Sequence, residues 1–163
     1  MQNIIKIVSD RDCNGCTKCC EGWLAGTAHG HDFHKGKRCF WMSKSGCNIY
    51  DFRPIDPCVN YKCLWKTEKI VPLEFKPSSV GVIITPRLED GFHYISIIYA
   101  GNEIPNIMRV WIKKMLDEGK VENFLYIGDK HSEIFSNNIE FTSHMKYKIN
   151  GTGIDKETGI EYS

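Results

Sequence analysis

The sequence has no cysteine beyond Cys63, although it has eight up to that point. It also has almost no net charge, because 21 Lys and Arg residues offset 20 Asp and Glu residues and leave +1. Proteins that bind nucleic acid or an anionic membrane by charge carry a clear positive excess, so we expect neither partner. No apolar run approaches the roughly 20 residues of a membrane-spanning helix, so no span is predicted.

Several signatures of enzymes and of export are absent as well. There is no phosphate-binding Walker loop, no Ser-His-Asp pattern and no His-Glu-x-x-His motif. The apolar stretch within residues 1–11 is too short for a signal-peptide core and precedes no small-residue cleavage site. We therefore predict a cytoplasmic protein. In that reducing compartment clustered cysteines are typically metal ligands rather than disulfides.

Composition divides the chain into two halves within one predicted domain, residues 1–163. Residues 10–66 hold all eight cysteines and show little periodic pattern, which indicates a segment that needs metal to fold. Residues 67–149 show ordinary helix and strand patterns, and residues 150–163, with three glycines and many charges, predict a mobile tail. The predicted fold class is α+β: a cysteine-rich, metal-stapled segment with little regular structure, packed on a small antiparallel sheet and one main helix.

The second half is predicted to contain four strands. Residues 80–85 and 92–99 are apolar and β-branched, and the turn signal within 86–91 predicts that they pair antiparallel. Residues 124–127 predict a third, short strand. Apolar and polar residues alternate through 139–149, which is typical of a half-buried strand.

Two helices are predicted. Residues 102–119 predict the main one, since Pro105 suits its first turn and Gly119 its end. Its buried face is expected to hold Ile107, Val110 or Trp111, and Met115. In the first half, Asp56 as N-cap and Pro57 at the first helical position predict a helix that brings Cys58, Tyr61 and Trp65 near one face.

The candidate metal ligands are the eight cysteines: Cys13, Cys16, Cys19, Cys20, Cys39, Cys47, Cys58 and Cys63. Three of them form a Cys-x-x-Cys-x-x-Cys run, a spacing found in bacterial iron–sulfur proteins. Zinc sites more often use two separated Cys-x-x-Cys pairs, but eight thiols also suffice for two four-cysteine zinc sites. The predicted cofactor is therefore an iron–sulfur cluster or Zn²⁺, with both alternatives open.

Some residues around the cysteines have a second possible role. Cys19 and Cys20 are adjacent, and neighbouring side chains diverge, so we expect different roles for them. His29, His31 and His34 are either solvated loop residues or additional nitrogen ligands. Trp23, Trp41 and Trp65 could shield the site from water, and Lys18, Arg38 and Arg53 could offset the negative charge of thiolates.

The cysteines belong to an ordered motif: Cys13-x-x-Cys16-x-x-Cys19-Cys20, Cys39, Gly46-Cys47-x-Ile49-Tyr50-x-x-Arg53-Pro54-x-x-x-Cys58 and Cys63-x-Trp65. This order resembles that of the CxxCxxCC family, also called the zinc- or iron-chelating domain family, over about residues 13–66. The chain departs from many members by three residues, rather than two, between Pro54 and Cys58, and by Val59 where they carry Arg. The resemblance implies metal chelation through the cysteines and leaves the metal and any reaction undefined.

The predicted function is that of a small cytoplasmic metal-binding protein that chelates iron, as an iron–sulfur cluster, or zinc. One alternative is a redox or modifying enzyme that uses an iron–sulfur cluster near Arg53 and the histidines. The other is a structural-zinc module that displays a surface to a protein partner, which the sequence does not identify.

Overall fold

The computed structural model describes residues 11–13 and 16–150 of the chain. Its first part contains two small antiparallel hairpins: β1 (Gly26–Ala28) with β2 (His31–Phe33), and β3 (Met42–Ser43) with β4 (Gly46–Cys47). Short helical turns accompany them: Lys18–Cys20, Tyr50–Phe52 and Ile55–Val59. This part therefore has little regular structure, as its weak periodicity predicts.

The helix predicted to run from Asp56 to Trp65 is wrong. The wide helical turn Ile55–Val59 ends at Val59, and α1 (Leu64–Thr67) begins only after Cys63. The backbone of Cys63 is extended (φ −66°, ψ 154°), so the helix cannot continue through it. The interruption places Cys58 and Cys63 on separate elements.

The second part is built on a four-stranded sheet in the order β5-β6-β7-β8. Its strands are β5 (Val82–Glu89), β6 (Phe92–Tyr99), β7 (Asn123–Ile127) and β8 (Ser132–Ser136). The antiparallel pair β5–β6 is confirmed, but β5 continues through Pro86, so the turn is only Asp90-Gly91. Both turn residues have positive φ (51° and 84°), as a tight two-residue hairpin requires. Strand β8 was not predicted.

Two helices lie next to these strands in the chain. A one-turn helix, α2 (Pro77–Val80), precedes β5, and α3 (Asn106–Asp117) connects β6 to β7, which pair in parallel. The sheet is therefore mixed rather than wholly antiparallel, since a helical crossover returns the chain in the same direction. The α+β class is confirmed.

Helix α4 (Ile139–Asn150) occupies the stretch predicted to be a strand, and that prediction is wrong. Asn138 caps the helix, because its side-chain oxygen accepts a hydrogen bond from the backbone N–H of Phe141 (3.0 Å). Phe141 and Met145 are buried, one helical turn apart, while Ile139 is 82% exposed. The alternation also fails at Ser143, and the 141–145 spacing fits a helix equally well.

The buried face of α3 agrees with the prediction only in part. Trp111 and Met115 are buried as expected, but their companions are Met108 and Ile112. Ile107 and Val110 are 58% and 69% exposed. Apolar residues occupy more than one face of this helix, so periodicity alone does not select the face that meets the sheet.

The sheet separates two apolar layers. Phe124 and Tyr126 of β7 pack into the main core with α3, whereas Leu125 packs on the opposite face against Phe141 and Met145 of α4. The main core extends into the cysteine-rich part through Cys63, Leu64 and Trp65. In the part of the chain described, no helix is both long and apolar enough to cross a membrane. The predicted tail lies, apart from Asn150, outside the described residues, as do residues 1–10.

Candidate metal centre

All eight predicted cysteine ligands line one cavity of about 350 Å³. Each is a free thiol; Cys39 and Cys63 are buried, and the other six are half-buried. The remaining wall is largely apolar and includes Leu24, Phe33, Ile49 and Pro77. Residues spread over the whole cysteine-rich half therefore line the same cavity.

A first set of thiols surrounds Cys19. Burial raises the pKa of the Cys19 thiol, and the nearby thiols of Cys63, Cys20, Cys16 and Cys13 raise it further, in that order. A turn in which the backbone N–H of Cys16 donates to the carbonyl of Cys13 (2.9 Å) holds two of these residues together. We define the first set as Cys13, Cys16, Cys19 and Cys63.

A second set surrounds Cys20. Burial raises the pKa of the Cys20 thiol to about 12, and Cys39, Cys47, Cys58 and Cys16 add to the increase. The backbone N–H of Cys39 donates to the carbonyl of Cys20 (2.8 Å), which fixes these two chain segments side by side. We define the second set as Cys20, Cys39, Cys47 and Cys58; Cys16 lies near both sets.

Apolar packing places Cys63 in a different cluster from three members of the second set. Cys39 forms a small buried cluster with Ala28 and Phe33, and Cys20 and Cys58 pack against it. Cys63 belongs to the main core instead. Cys19 and Cys20 diverge because they lie in a 3₁₀ turn, Lys18–Cys20, where successive side chains point about 120° apart.

The first set is tied to the sheet by Tyr61. Its hydroxyl shares a 2.6 Å hydrogen bond with the Thr85 hydroxyl on β5. Burial raises the pKa of Tyr61, and the thiols of Cys19 and Cys63 add to the increase. Tyr61 also lines the cavity that the eight cysteines share.

Arg11 joins the two chain segments that supply the first set, and sequence reasoning missed it. Its guanidinium donates to the carbonyls of Trp65 (2.6 Å) and Glu68 (3.1 Å), and Lys66 Nζ donates back to the Arg11 carbonyl (2.8 Å). Arg11 is only 8% exposed. No sequence signal identifies Arg11, because its role follows from its burial and from its contacts with distant carbonyls, and buried arginines require partners.

Two backbone N–H groups lie near the Cys63 thiol and affect its pKa. The N–H groups of Lys66 and Trp65 lie close enough to lower the pKa of its thiol, although burial has the larger effect and raises it. Cys63 stands at the N-cap position of α1 without forming a side-chain capping hydrogen bond. Donors near a sulfur favour its thiolate form, the form that binds metal.

Arg53 is the one predicted charge-compensating residue that lines the cavity. Its guanidinium stacks 3.7 Å over the Tyr50 ring, and its Nε donates to the Tyr50 carbonyl (2.8 Å). Its positive charge lowers the pKa of the Cys58 thiol, although burial and the Cys39 and Cys47 thiols leave that pKa raised. Lys18 pairs with Glu21 instead.

The three candidate histidines do not line the cavity. A nitrogen of His29 contacts the Phe52 carbonyl (2.7 Å), and the ring of His31 stacks on Phe40 with centroids 4.1 Å apart. His34 is exposed and contacts the carbonyl of Lys35. The structure therefore gives the histidines other partners.

Two of the three tryptophans lie where a shield would be placed. Trp41 and Trp65 line the cavity. Trp23 does not; it packs edge-on to Tyr99, with ring centroids 5.3 Å apart. Trp65 also hydrogen-bonds the carbonyl of Leu73 through its Nε1 (2.8 Å), which anchors the wall it forms.

One geometric finding counts against a preformed site. Within residues 11–13 and 16–150, no three or more His, Cys, Asp or Glu side chains stand in an arrangement that could hold a metal ion. The eight thiols share one cavity, but their side chains as they stand form no metal-holding group among the described residues.

Comparison of the chain with protein-family models, with curated proteins and with solved structures returns no match. The resemblance to the CxxCxxCC family therefore stays a prediction based on its motif.

Proposed function

We propose that this chain is a cytoplasmic metal-binding protein that chelates iron, as an iron–sulfur cluster, or zinc through two sets of four cysteines. The observation that carries the proposal is the convergence of all eight cysteines on one cavity. Structural zinc ions and iron–sulfur clusters are each commonly held by four thiolates. Eight thiols therefore match the number of ligands that two such centres need.

The free state of the thiols supports metal rather than disulfide chemistry. No disulfide joins any of the eight cysteines, all of which are described. The pKa of Cys20 is raised to about 12, so its thiol keeps its proton in the metal-free protein at neutral pH. A bound metal ion replaces such protons and supplies the opposite charge that the buried thiolates need.

A second candidate is a redox or modifying enzyme that uses an iron–sulfur cluster. The observation that favours it is the cavity itself. Its volume of about 350 Å³ lies at the lower end of the range for small-molecule pockets, roughly 300–1,000 Å³, and its wall carries the positive charge of Arg53. Under this reading one set holds the cluster and the remaining space admits a substrate.

The deciding experiment is metal analysis with a visible spectrum on full-length protein purified without oxygen. Two zinc ions per colourless chain would support two zinc sites, and iron with acid-labile sulfide and a brown colour would support clusters. As a matched control, His34→Ala alters an exposed histidine outside the cavity and should leave the metal content unchanged. Protein that contains neither metal and has its cysteines oxidised in pairs would contradict the proposal.

A further inference from the structure

Positive charge is concentrated in one segment, although the whole chain carries only +1. Residues 31–53 contain five Lys and Arg residues and two Asp residues, which leaves +3. The five cations are Lys35, Lys37, Arg38, Lys44 and Arg53. Our expectation that no nucleic acid binds is based on the net charge of the whole chain, and that average conceals this basic segment.

Most of these cations are available to an external anion. Lys37, Arg38 and Lys44 are exposed and have no carboxylate partner among the residues that the structure describes. Lys35 has an exposed pair with Asp129 (3.5 Å), and such a pair contributes little stability, so an external anion can replace it. The segment therefore presents at least three cations to solvent.

Aromatic rings are exposed in the same segment. Phe40 is 64% exposed, Tyr50 is 50% exposed and Phe52 is 78% exposed. The ring of Phe40 lies flat against that of His31, with centroids 4.1 Å apart and planes 8° from parallel. Because His31 covers one side of this ring, the exposed part of Phe40 lies away from His31.

Direct contacts join these rings into one surface. The rings of Phe40 and His31 both pack edge-on to Trp41, with centroids 5.0 and 5.5 Å from it. His29 packs edge-on to Trp41 as well (6.4 Å) and contacts the carbonyl of Phe52 (2.7 Å). We define the aromatic surface as His29, His31, Phe40, Trp41 and Phe52.

Cations lie beside both exposed phenylalanines of the aromatic surface. Arg38 stands two residues before Phe40, so their Cα atoms are no more than about 7 Å apart. Arg53 follows Phe52, and its guanidinium stacks 3.7 Å over the ring of Tyr50. A stacked guanidinium keeps N–H donors at its edge, and these match the geometry of a phosphate.

We infer that the aromatic surface and the cations beside it bind single-stranded nucleic acid, with a base stacked on Phe40 and phosphates bound by Lys37 and Arg38. Exposed rings next to unpaired cations are the features that such binding uses. A carboxylate of an acidic protein could pair with the cations, but it gains nothing from a ring face, which is electrically negative. Every nucleobase has a π face that can stack there. This inference goes beyond the proposed function, and the aromatic surface contains no cysteine.

The test measures the fluorescence anisotropy of a labelled oligouridine of about 12 nucleotides, and of the matching oligothymidine, titrated with nucleic-acid-free full-length protein. We expect binding to both single strands and weaker binding to a duplex of the same length, whose bases already stack on one another. Three to four phosphate contacts should lower the affinity about 20- to 50-fold between 50 and 200 mM salt. Absence of binding at 50 mM salt, or equal binding to the duplex, would overturn the inference. Metal analysis of the same preparation tests the proposed function separately.

Substitution of one exposed ring tests the stacking. Phe40→Ala should weaken binding at least about fivefold, whereas Phe40→Trp keeps a ring and should retain the affinity. Leu73→Ala is the matched control, because Leu73 is 62% exposed and lies outside the aromatic surface. Equal effects of the two alanine variants would contradict stacking on Phe40.

A second pair of variants tests the phosphate contacts. Lys37→Gln with Arg38→Gln should reduce the slope of log affinity against log salt by about 1.4. Lys69→Gln with Lys113→Gln removes the same charge from exposed lysines elsewhere and should leave the slope unchanged. An oligoglutamate peptide that competes as well as unlabelled oligouridine would assign the surface to an acidic protein, and free uridine monophosphate that competes equally would assign it to a nucleotide. Either result would overturn the inference.

Discussion

In the sheet, Ile83, Ile97 and Phe124 are fully buried among apolar neighbours. Among the described residues of the cysteine-rich part, the small core consists of Ala28, Phe33 and Cys39, which also line the cavity that the thiols share. Buried apolar area stabilises the first region directly, at roughly 25 cal/mol per Å². The second region buries less apolar area, and we expect its order to depend on what the thiols bind.

The largest predicted effect comes from removing metal. In zinc-finger peptides the binding of structural zinc supplies about 10–16 kcal/mol, which is folding free energy where no core exists. We expect chelation to remove hydrogen-exchange protection from amides in residues 20–60 and to leave that of β5 and β6 unchanged. Equal loss of protection in both regions would show that the sheet depends on the metal as well.

The raised pKa values of the thiols predict that metal affinity in the cysteine-rich part depends on pH. The pKa of Cys20 is raised to about 12, and those of Cys19, Cys58 and Cys63 are also raised, so metal must displace protons at neutral pH. Affinity should therefore fall as pH falls, by about tenfold per pH unit for each thiol that loses its proton. Chelator competition at several pH values measures this slope. A flat profile would mean that the thiols are already ionised.

Truncating an aromatic residue should have unequal effects in the two regions. Phe124→Ala removes a fully buried ring from the main core and should cost about 3–5 kcal/mol of unfolding free energy. Phe52→Ala, at a ring that is 78% exposed in the cysteine-rich part, should cost less than about 0.5 kcal/mol. Urea unfolding measures both; similar costs would contradict the contrast in packing.

In the cysteine-rich part, the backbone at Gly22 lies so close to another chain segment that a side chain would not fit. Gly22 has φ of 97°, and a Cβ there would lie 2.7 Å from the carbonyl oxygen of His34. Gly22→Ala should therefore cost about 1–3 kcal/mol. Gly30→Ala is the matched control, because Gly30 also has positive φ (79°) but open space around it. Thermal unfolding of the metal-loaded protein should show the larger loss for Gly22→Ala, and equal losses would remove the steric argument.

The smallest effect concerns the ion pairs between α4 and the β5–β6 turn. Lys148 pairs with Glu89 and Asp90, which lowers the pKa of both carboxyl groups. A carboxylate with a lowered pKa stabilises the fold above its ordinary pKa, and this is lost as pH falls through the lowered value. Lys148→Met should thus lower the melting temperature slightly at pH 7 in low salt, and not at high salt. Lys69→Met, an exposed lysine in another region, is the control; equal shifts would indicate a general effect of charge.

Sequence pattern predicted those elements whose signal is local. The turn signal at Glu89-Asp90-Gly91 between two apolar runs predicts the β5–β6 hairpin, because Asp and Gly adopt the positive φ that a tight hairpin turn requires. It did not distinguish helix from strand at residues 139–149, where Phe141 and Met145 fit both periods. There a helix forms because Asn138 caps its first turn and because Phe141 and Met145 pack together on the sheet face that carries Leu125.

The candidate metal site, too, was predictable from the sequence only in part. Residue type and number, with eight cysteines between Cys13 and Cys63, lead to the prediction of metal chemistry. Their grouping does not follow from spacing, since Cys58 and Cys63 are five residues apart and belong to different sets. Arg11 likewise has no motif of its own, and its role depends on its contacts with α1.

The sequence by itself determined that eight thiols lie in one half of the chain and that the other half contains the hairpin of strands β5 and β6. Only the tertiary structure decided which thiols are neighbours, which face of α3 is buried and that residues 139–150 form a helix. The physical reason is range. Local propensities act over a few residues, whereas the neighbours of Cys63 are set by packing between residues that are distant in the chain, such as Arg11 and Trp65.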